Sequence, residues 1–227
     1  PAYACMVESM DENIGRVLKV LKSQDLEQDT LVIFFSDNGG LCTGSSPNMP
    51  TSCLPLRGGK AWLYEGGIRV PLIIKFPGKI KAGTQISEPV VGTDLYPTIL
   101  DFLDLPLTPH QHMDGESVKP LLAGEKTLER EAIYFHLPHY HHINSMGPSG
   151  ALRKGDFKLI EIFETGKYEL YNVREDIGEH HDLAEKMPDL VGKLANDLKQ
   201  WREKSNARMV VINQQYDPAS DFRKKKK

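Results

Sequence analysis

The chain has 227 residues, 40% hydrophobic and 26% charged, with a formal net charge of −3, a length that holds one large domain or two modest ones. So even a balance gives no general drive toward nucleic acid or an anionic membrane surface, and no apolar run approaches the roughly 20 residues that a membrane-spanning helix requires. Its three cysteines are too few for a disulfide scaffold, and the one basic cluster, RKKKK at 223–227, reads as a solvated tail.

Met6, Met10, Ile14, Val17, Leu18 and Leu21 recur at helical spacing and predict an amphipathic helix over about 3–22. Residue 1 is a proline and helical periodicity starts almost at once, with no signal peptide ahead of it, so the chain reads as a piece of something longer. A polar stretch at 22–29 leads to TLVIFF at 30–35, a fully apolar strand; helix, short connection and strand suggest an α/β unit around a largely buried sheet. Residues 37–69 hold much of the glycine and read as one long loop, of a length that in a compact domain is either functional or disordered. VPLIIKF at 70–76 is strand-like, with Pro71 at a strand start or edge. TDLYPTILDFLDL at 93–105 is a short helix, with Thr93 or Asp94 as its cap and Pro97 in its first turn.

Residues 108–127 form a polar connection punctuated by proline and glycine, after which the texture changes. REAIYFHL, GALRKGDFKLIEIF and KYELYNV are short strands separated by glycine-containing turns, the pattern of an antiparallel meander. A last helix over 188–204 carries Leu190, Val191, Leu194, Leu198 and Trp201 on one face, and its basic end suits the helix dipole. A boundary near 125 separates an α/β portion, 1–125, from a small α+β subdomain, 126–227.

The chemistry concentrates in the long loop. Asp37 and Asn38 stand where the carboxyl end of an α/β strand opens into a crevice. A carboxylate and an amide carbonyl are hard donors that suit Ca²⁺, or less well Mg²⁺, rather than zinc. Gly39 and Gly40 let the backbone turn and approach a ligand, although Asp-Asn-Gly-Gly is also ordinary turn chemistry, and residue types leave both readings open. LRGGK at 56–60 is not a phosphate-binding P-loop, because Leu54 and Ala61 stand where that pattern needs Gly and Ser or Thr. Lys60 can still hold an anion, or simply face solvent. Glu65 and Arg69 in YEGGIRVP read as a pair that fixes the loop, and Asp94 as a helix cap rather than a ligand.

FHLPHYHH at 135–142 presents His136, His139, His141 and His142 beside Tyr140, without the regular spacing of a metal cluster; a solvated histidine loop and a sugar-contacting rim both fit. Cys42 and Cys53 flank a loop and either pair in an oxidising compartment, leaving Cys5 over, or stay as thiols.

SDNGG, LRGGKAWLYEGGIRVPLII, TDLYPTILDF, DGESVKPLL and YELYNVREDIGEHHDLA occur in one order, and together they resemble the C-terminal half of a type I, formylglycine-dependent sulfatase of the alkaline phosphatase superfamily. The likeness extends over essentially the whole chain. It implies part of an alkaline-phosphatase-like α/β sandwich, followed by a small antiparallel sheet packed with a C-terminal helix. It implies Asp37 and Asn38 as two ligands of a calcium ion, Lys60 as a catalytic, sulfate-contacting lysine, and His136 and His139 as substrate contacts near the pocket rim. The substrate would be a sulfated small molecule or glycan, and the setting periplasmic, secreted or lysosomal, which a Cys42–Cys53 bond would suit.

The resemblance also implies what this sequence lacks. None of Cys5, Cys42 or Cys53 lies in a C-x-P-S-R context, so the formylglycine belongs to a missing N-terminal half, as do the remaining calcium ligands. The chain alone is expected to be inactive. Two other readings compete: a non-catalytic module that binds a glycan or a partner, and a phosphodiesterase of the same superfamily.

Overall fold

The computed structural model describes residues 2–43, 49–125, 127–141, 146–211 and 213–217, so His142 and the lysine tail lie outside the described residues. In chain order the elements are α1 (Ala2–Ser23), β1 (Val32–Phe35), α2 (Glu65–Ile68), β2 (Leu72–Lys75), α3 (Leu95–Phe102), α4 (Lys119–Ala123), β3 (Ala132–Leu137), β4 (Ser149–Lys154), β5 (Phe157–Ile162), β6 (Lys167–Asn172) and α5 (Pro188–Lys204). They form two compact units: Pro1–Asp37 with Val70–Ile133, and Asn38–Arg69 with Tyr134–Lys227. The long glycine loop thus packs with the C-terminal sheet, far from it in sequence.

In the first unit α1 forms as its periodicity predicts, yet no residue in it is buried. Its apolar row lies open, with Met6 69% and Val17 61% exposed. β1 and β2 pair antiparallel, Val32 opposite Lys75 and Phe35 opposite Leu72. The expected largely buried sheet is not what these strands make. β1 is half-buried with Phe35 exposed, and Ile73 of β2 is 61% exposed, because the described residues give this sheet two strands only. The buried hydrophobic side chains here include Phe76, Phe102, Val118, Leu121 and Ile133, with the Phe76 and Phe102 rings 5.7 Å apart.

Asp94 stands at the N-cap position of α3 but makes no cap bond to it. Its fully buried carboxylate instead accepts from the backbone N–H groups of Val91 (2.8 Å) and Glu116 (3.0 Å) and from the Arg130 guanidinium (2.5 and 2.8 Å). α4 arises within the stretch read as a connection; Pro120 opens it and Gly124, at φ 107°, closes it.

The second unit is built on a four-stranded antiparallel sheet in the order β3-β4-β5-β6. Residues directly opposite share a face. Leu152, Leu159 and Leu170 form one row, and Ala151, Ile160 and Glu169 the row on the other face. α5 covers the leucine face, where Lys154 pairs with Asp197 at 3.0 Å and Arg202 with Glu161 at 2.6 Å. On the opposite face Leu63, Tyr64, Met146, Ala151, Ile160, Tyr171 and Val173 form one buried cluster, joined by Trp62 and Ile68. Each of the fully buried leucines, Leu152, Leu159, Leu170 and Leu198, contributes roughly 1.5–3 kcal/mol by leaving water. The sheet is therefore a rigid floor for the loop 57–68.

Candidate functional site

Asp37, just beyond the end of β1, is exposed, and Asn38 is half-buried. The next two residues anchor the turn. The Gly39 N–H donates to the Gly67 carbonyl at 2.9 Å. A Cβ at Gly39 would stand 1.8 Å from the Gly66 carbonyl oxygen, so only glycine permits this approach. The Gly40 carbonyl accepts two backbone N–H groups at 2.9 Å, those of Cys42 and Lys60. That second bond ties the Lys60 backbone two residues beyond Asn38 while its side chain stays exposed. Ala61 directly after it has φ 72°, a left-handed conformation that strains a residue carrying a Cβ by about 1–2 kcal/mol.

The segment pressing on Gly39 is itself held from below. Glu65 opens α2 and is buried, and its carboxylate accepts from Arg69 at 2.6 Å, the pair expected from YEGGIRVP. Sequence reasoning missed its other partner. Lys158, fully buried on β5, places Nζ 2.9 Å from Glu65 Oε1 and 2.5 Å from Glu179 Oε1, and Glu179 Oε2 accepts the Glu65 backbone N–H at 2.7 Å. A lysine at the second position of FKLIEI, on the face of the sheet opposite α5, was the available signal.

Burial works against ionisation of Glu65, yet Lys158 and then Arg69 hold its carboxyl below the usual range. Burial also raises Glu179, and there the single cation does not fully offset it. Arg57 adds a second brace: its guanidinium lies 3.9 Å over the Tyr64 ring and donates to the Tyr171 hydroxyl (2.8 Å) and the Glu179 carbonyl (3.0 Å). Both tyrosine hydroxyls donate to Glu169, at 2.8 and 3.0 Å, and burial pushes both phenols up.

The structure thus brings Asn38 and Lys60 into one braced loop, with Asp37 the immediate chain neighbour of Asn38. His136 sits elsewhere in this unit, on β3. Its Nε2 meets the Arg208 carbonyl at 2.8 Å and its ring packs against Phe163 and Trp201. His139 is exposed on the segment after β3. Among the described residues no three His, Cys, Asp or Glu side chains gather closely enough to hold a metal ion. Asp37 and Asn38 are the right donor types for a hard cation, and they are two oxygens of the six to eight that calcium takes.

Residues 59–204 match the family model for N-sulphoglucosamine sulphohydrolase, C-terminal, and residues 1–105 match the sulfatase model. The chain belongs to the sulfatase family. A sulfatase from Formosa agariphila is 36% identical over 228 residues, covering 90% of this chain and 40% of that protein. N-acetylglucosamine-6-O-sulfatase from Bacteroides thetaiotaomicron is 31% identical, covering 88% of this chain and 36% of its own length. Among solved structures, Ps i-CgsB in complex with k-i-k-neocarrahexaose aligns with a TM-score of 0.75 at 28% identity, over 86% of this chain and 41% of that one. This sulfatase chain therefore spans about two-fifths of the length of these relatives, corresponds to their C-terminal part, and has part of the alkaline-phosphatase-like fold, as the sequence resemblance implied.

Proposed function

We propose that this chain is the part of a carbohydrate sulfatase that supplies two metal oxygens, from Asp37 and Asn38, and the sulfate-holding ammonium of Lys60. The observation that carries the reading is the Gly40 carbonyl, which fixes the Lys60 backbone to the turn that follows Asp37 and Asn38. Sulfuryl transfer builds negative charge on the sulfuryl and leaving oxygens, so fixed positive groups aimed at them stabilise the transition state. A bound divalent cation, Ca²⁺ in preference to Mg²⁺, would supply the larger part of that charge. Lys60 adds a compact three-donor cation on a loop whose glycines allow close approach.

Support for a sugar substrate comes from the relatives, one named as an N-acetylglucosamine-6-O-sulfatase and one solved in complex with k-i-k-neocarrahexaose. His139, exposed after β3, is the better placed of the two candidate histidines to meet such a substrate; the ring of His136 is engaged by Arg208 and Trp201. The nucleophile, expected as formylglycine, and the other metal ligands come from outside these 227 residues, so the chain alone turns over no sulfate ester. The open apolar row of α1 and the exposed Phe35 and Ile73 support a working state in which the N-terminal half of a sulfatase domain covers them. No described helix is long and apolar enough to cross a membrane, and a periplasmic, secreted or lysosomal setting fits the family.

The test is a chimera in which this chain replaces the aligned portion of the Formosa sulfatase, assayed on a chromogenic aryl sulfate and on glucosamine 6-sulfate. Activity that disappears with Asp37→Ala and with Lys60→Ala is the expected result. A folded, active chimera indifferent to both substitutions refutes the assignment.

A further inference from the structure

We propose that Cys42 and Cys53 are a redox pair that closes into a disulfide across Gly40, clamping the loop that carries Lys60. Both are half-buried free thiols, whereas Cys5 is exposed on α1 in the other unit. The Cys42 thiol points at the Gly58 carbonyl, 3.1 Å away, and the Cys53 thiol at the Gly40 carbonyl, 3.7 Å away. Both cysteines meet one acceptor, because the Gly40 carbonyl that faces the Cys53 thiol also takes the Cys42 backbone N–H at 2.9 Å.

The Cys42 sulfur sits where only a glycine at 59 leaves room, and the Cys53 sulfur lies at ordinary contact distance from Gly40. A Cβ on Gly59 would lie 2.5 Å from Cys42 Sγ, and one on Gly40 would lie 3.4 Å from Cys53 Sγ. With both cysteines held against the Gly40 backbone, side-chain rotation is what would bring their sulfurs to the ~2.05 Å of an S–S bond.

The chemistry is thiol–disulfide exchange with a small-molecule disulfide as oxidant. One cysteine thiolate attacks the oxidant, forming a mixed disulfide and releasing one small thiol. The second cysteine then attacks the protein sulfur of that mixed disulfide and releases the other small thiol. In total two cysteine thiols are oxidised and one small disulfide is reduced to two thiols. Burial, with the Cys42 contact adding to it, pushes the Cys53 thiol up to about 11, so exchange through it quickens as pH rises.

Closure leaves the Gly40 carbonyl with its Cys42 and Lys60 backbone donors and adds a covalent tie between the segment after Asn38 and the segment before Lys60. None of this depends on the sulfatase reading, since it rests on the positions of two sulfurs.

The experiment uses the reduced chain, equilibrated with reduced and oxidised glutathione, trapped with N-ethylmaleimide and read by intact mass and peptide mapping. The expected product has lost two hydrogens, yields a linked Cys42–Cys53 peptide and carries maleimide on Cys5 alone. In Cys53→Ser the remaining Cys42 takes a single glutathione instead. The bond should form at a glutathione ratio about tenfold more reducing in buffer than in concentrated urea. Glutathione adducts on both cysteines without an internal bond, pairing of either with Cys5, or equal closure in buffer and urea would each overturn the proposal.

Discussion

Replacing Lys158 with methionine tests how the loop is held. The ammonium is fully buried, 2.9 Å from Glu65 and 2.5 Å from Glu179, both of which are themselves buried. Methionine keeps most of the side-chain volume and removes the charge, leaving two carboxylates together out of water. Arg69 still reaches Glu65 at 2.6 Å, and the Glu65 backbone N–H still reaches Glu179, so neither acid is left wholly without a partner. Breaking a buried ion pair on one side typically costs 3–5 kcal/mol, which for a protein of this size lowers Tm by roughly 6–20 °C.

Both tryptophans, Trp62 and Trp201, lie in the second unit, so their fluorescence in a urea titration reports the unit that contains Lys158. The double variant Lys158→Met with Glu179→Gln should regain most of the loss, because the repulsion it relieves is the main term. A Lys158→Met protein within about 1 kcal/mol of the parent, or a double variant no better than the single, would refute this account of the cluster.

The same cluster sets a pH dependence. Glu179 is raised above the ordinary 4.5, so its contribution is complete below 4.5 and lost as pH rises through its folded value. Glu65 is lowered below 4.5, so its contribution is present above 4.5 and lost as pH falls through its folded value. The urea midpoint followed by tryptophan emission should therefore peak near 4.5 from this source, and Glu179→Gln should flatten the decline on the alkaline side. Gly39→Ala places a methyl 1.8 Å from the Gly66 carbonyl and should destabilise the second unit by about 1–3 kcal/mol, read by the same titration. Lys60→Ala, at an exposed side chain, should leave stability within about 0.5 kcal/mol while lowering kcat/KM of the chimera by roughly 100-fold.

Local elements were legible because their cause is local. The helical spacing from Met6 to Leu21 gives α1, the apolar stripe from Leu190 to Trp201 gives α5, and the strand–turn pattern after 130 gives the meander. α4 was hidden because its five residues are too few to show a period. Long-range packing was hidden as well. That 38–69 belongs with the C-terminal sheet depends on a lysine buried in β5 and a glutamate in a polar turn, Lys158 and Glu179, residue types that composition assigns to solvent. Ordered motifs mark Asp37, Asn38 and Lys60 as candidates. The Gly40 carbonyl that ties Lys60 to that turn could not be picked out, since a backbone acceptor leaves no mark in a sequence.

The most direct measurement is a calorimetric Ca²⁺ titration of this chain and of the chimera, each beside its Asp37→Ala variant. The account predicts weak or no binding by the 227 residues alone and much tighter binding by the chimera, lost in Asp37→Ala. Tight binding by the chain alone, or chimera binding untouched by Asp37→Ala, would contradict it.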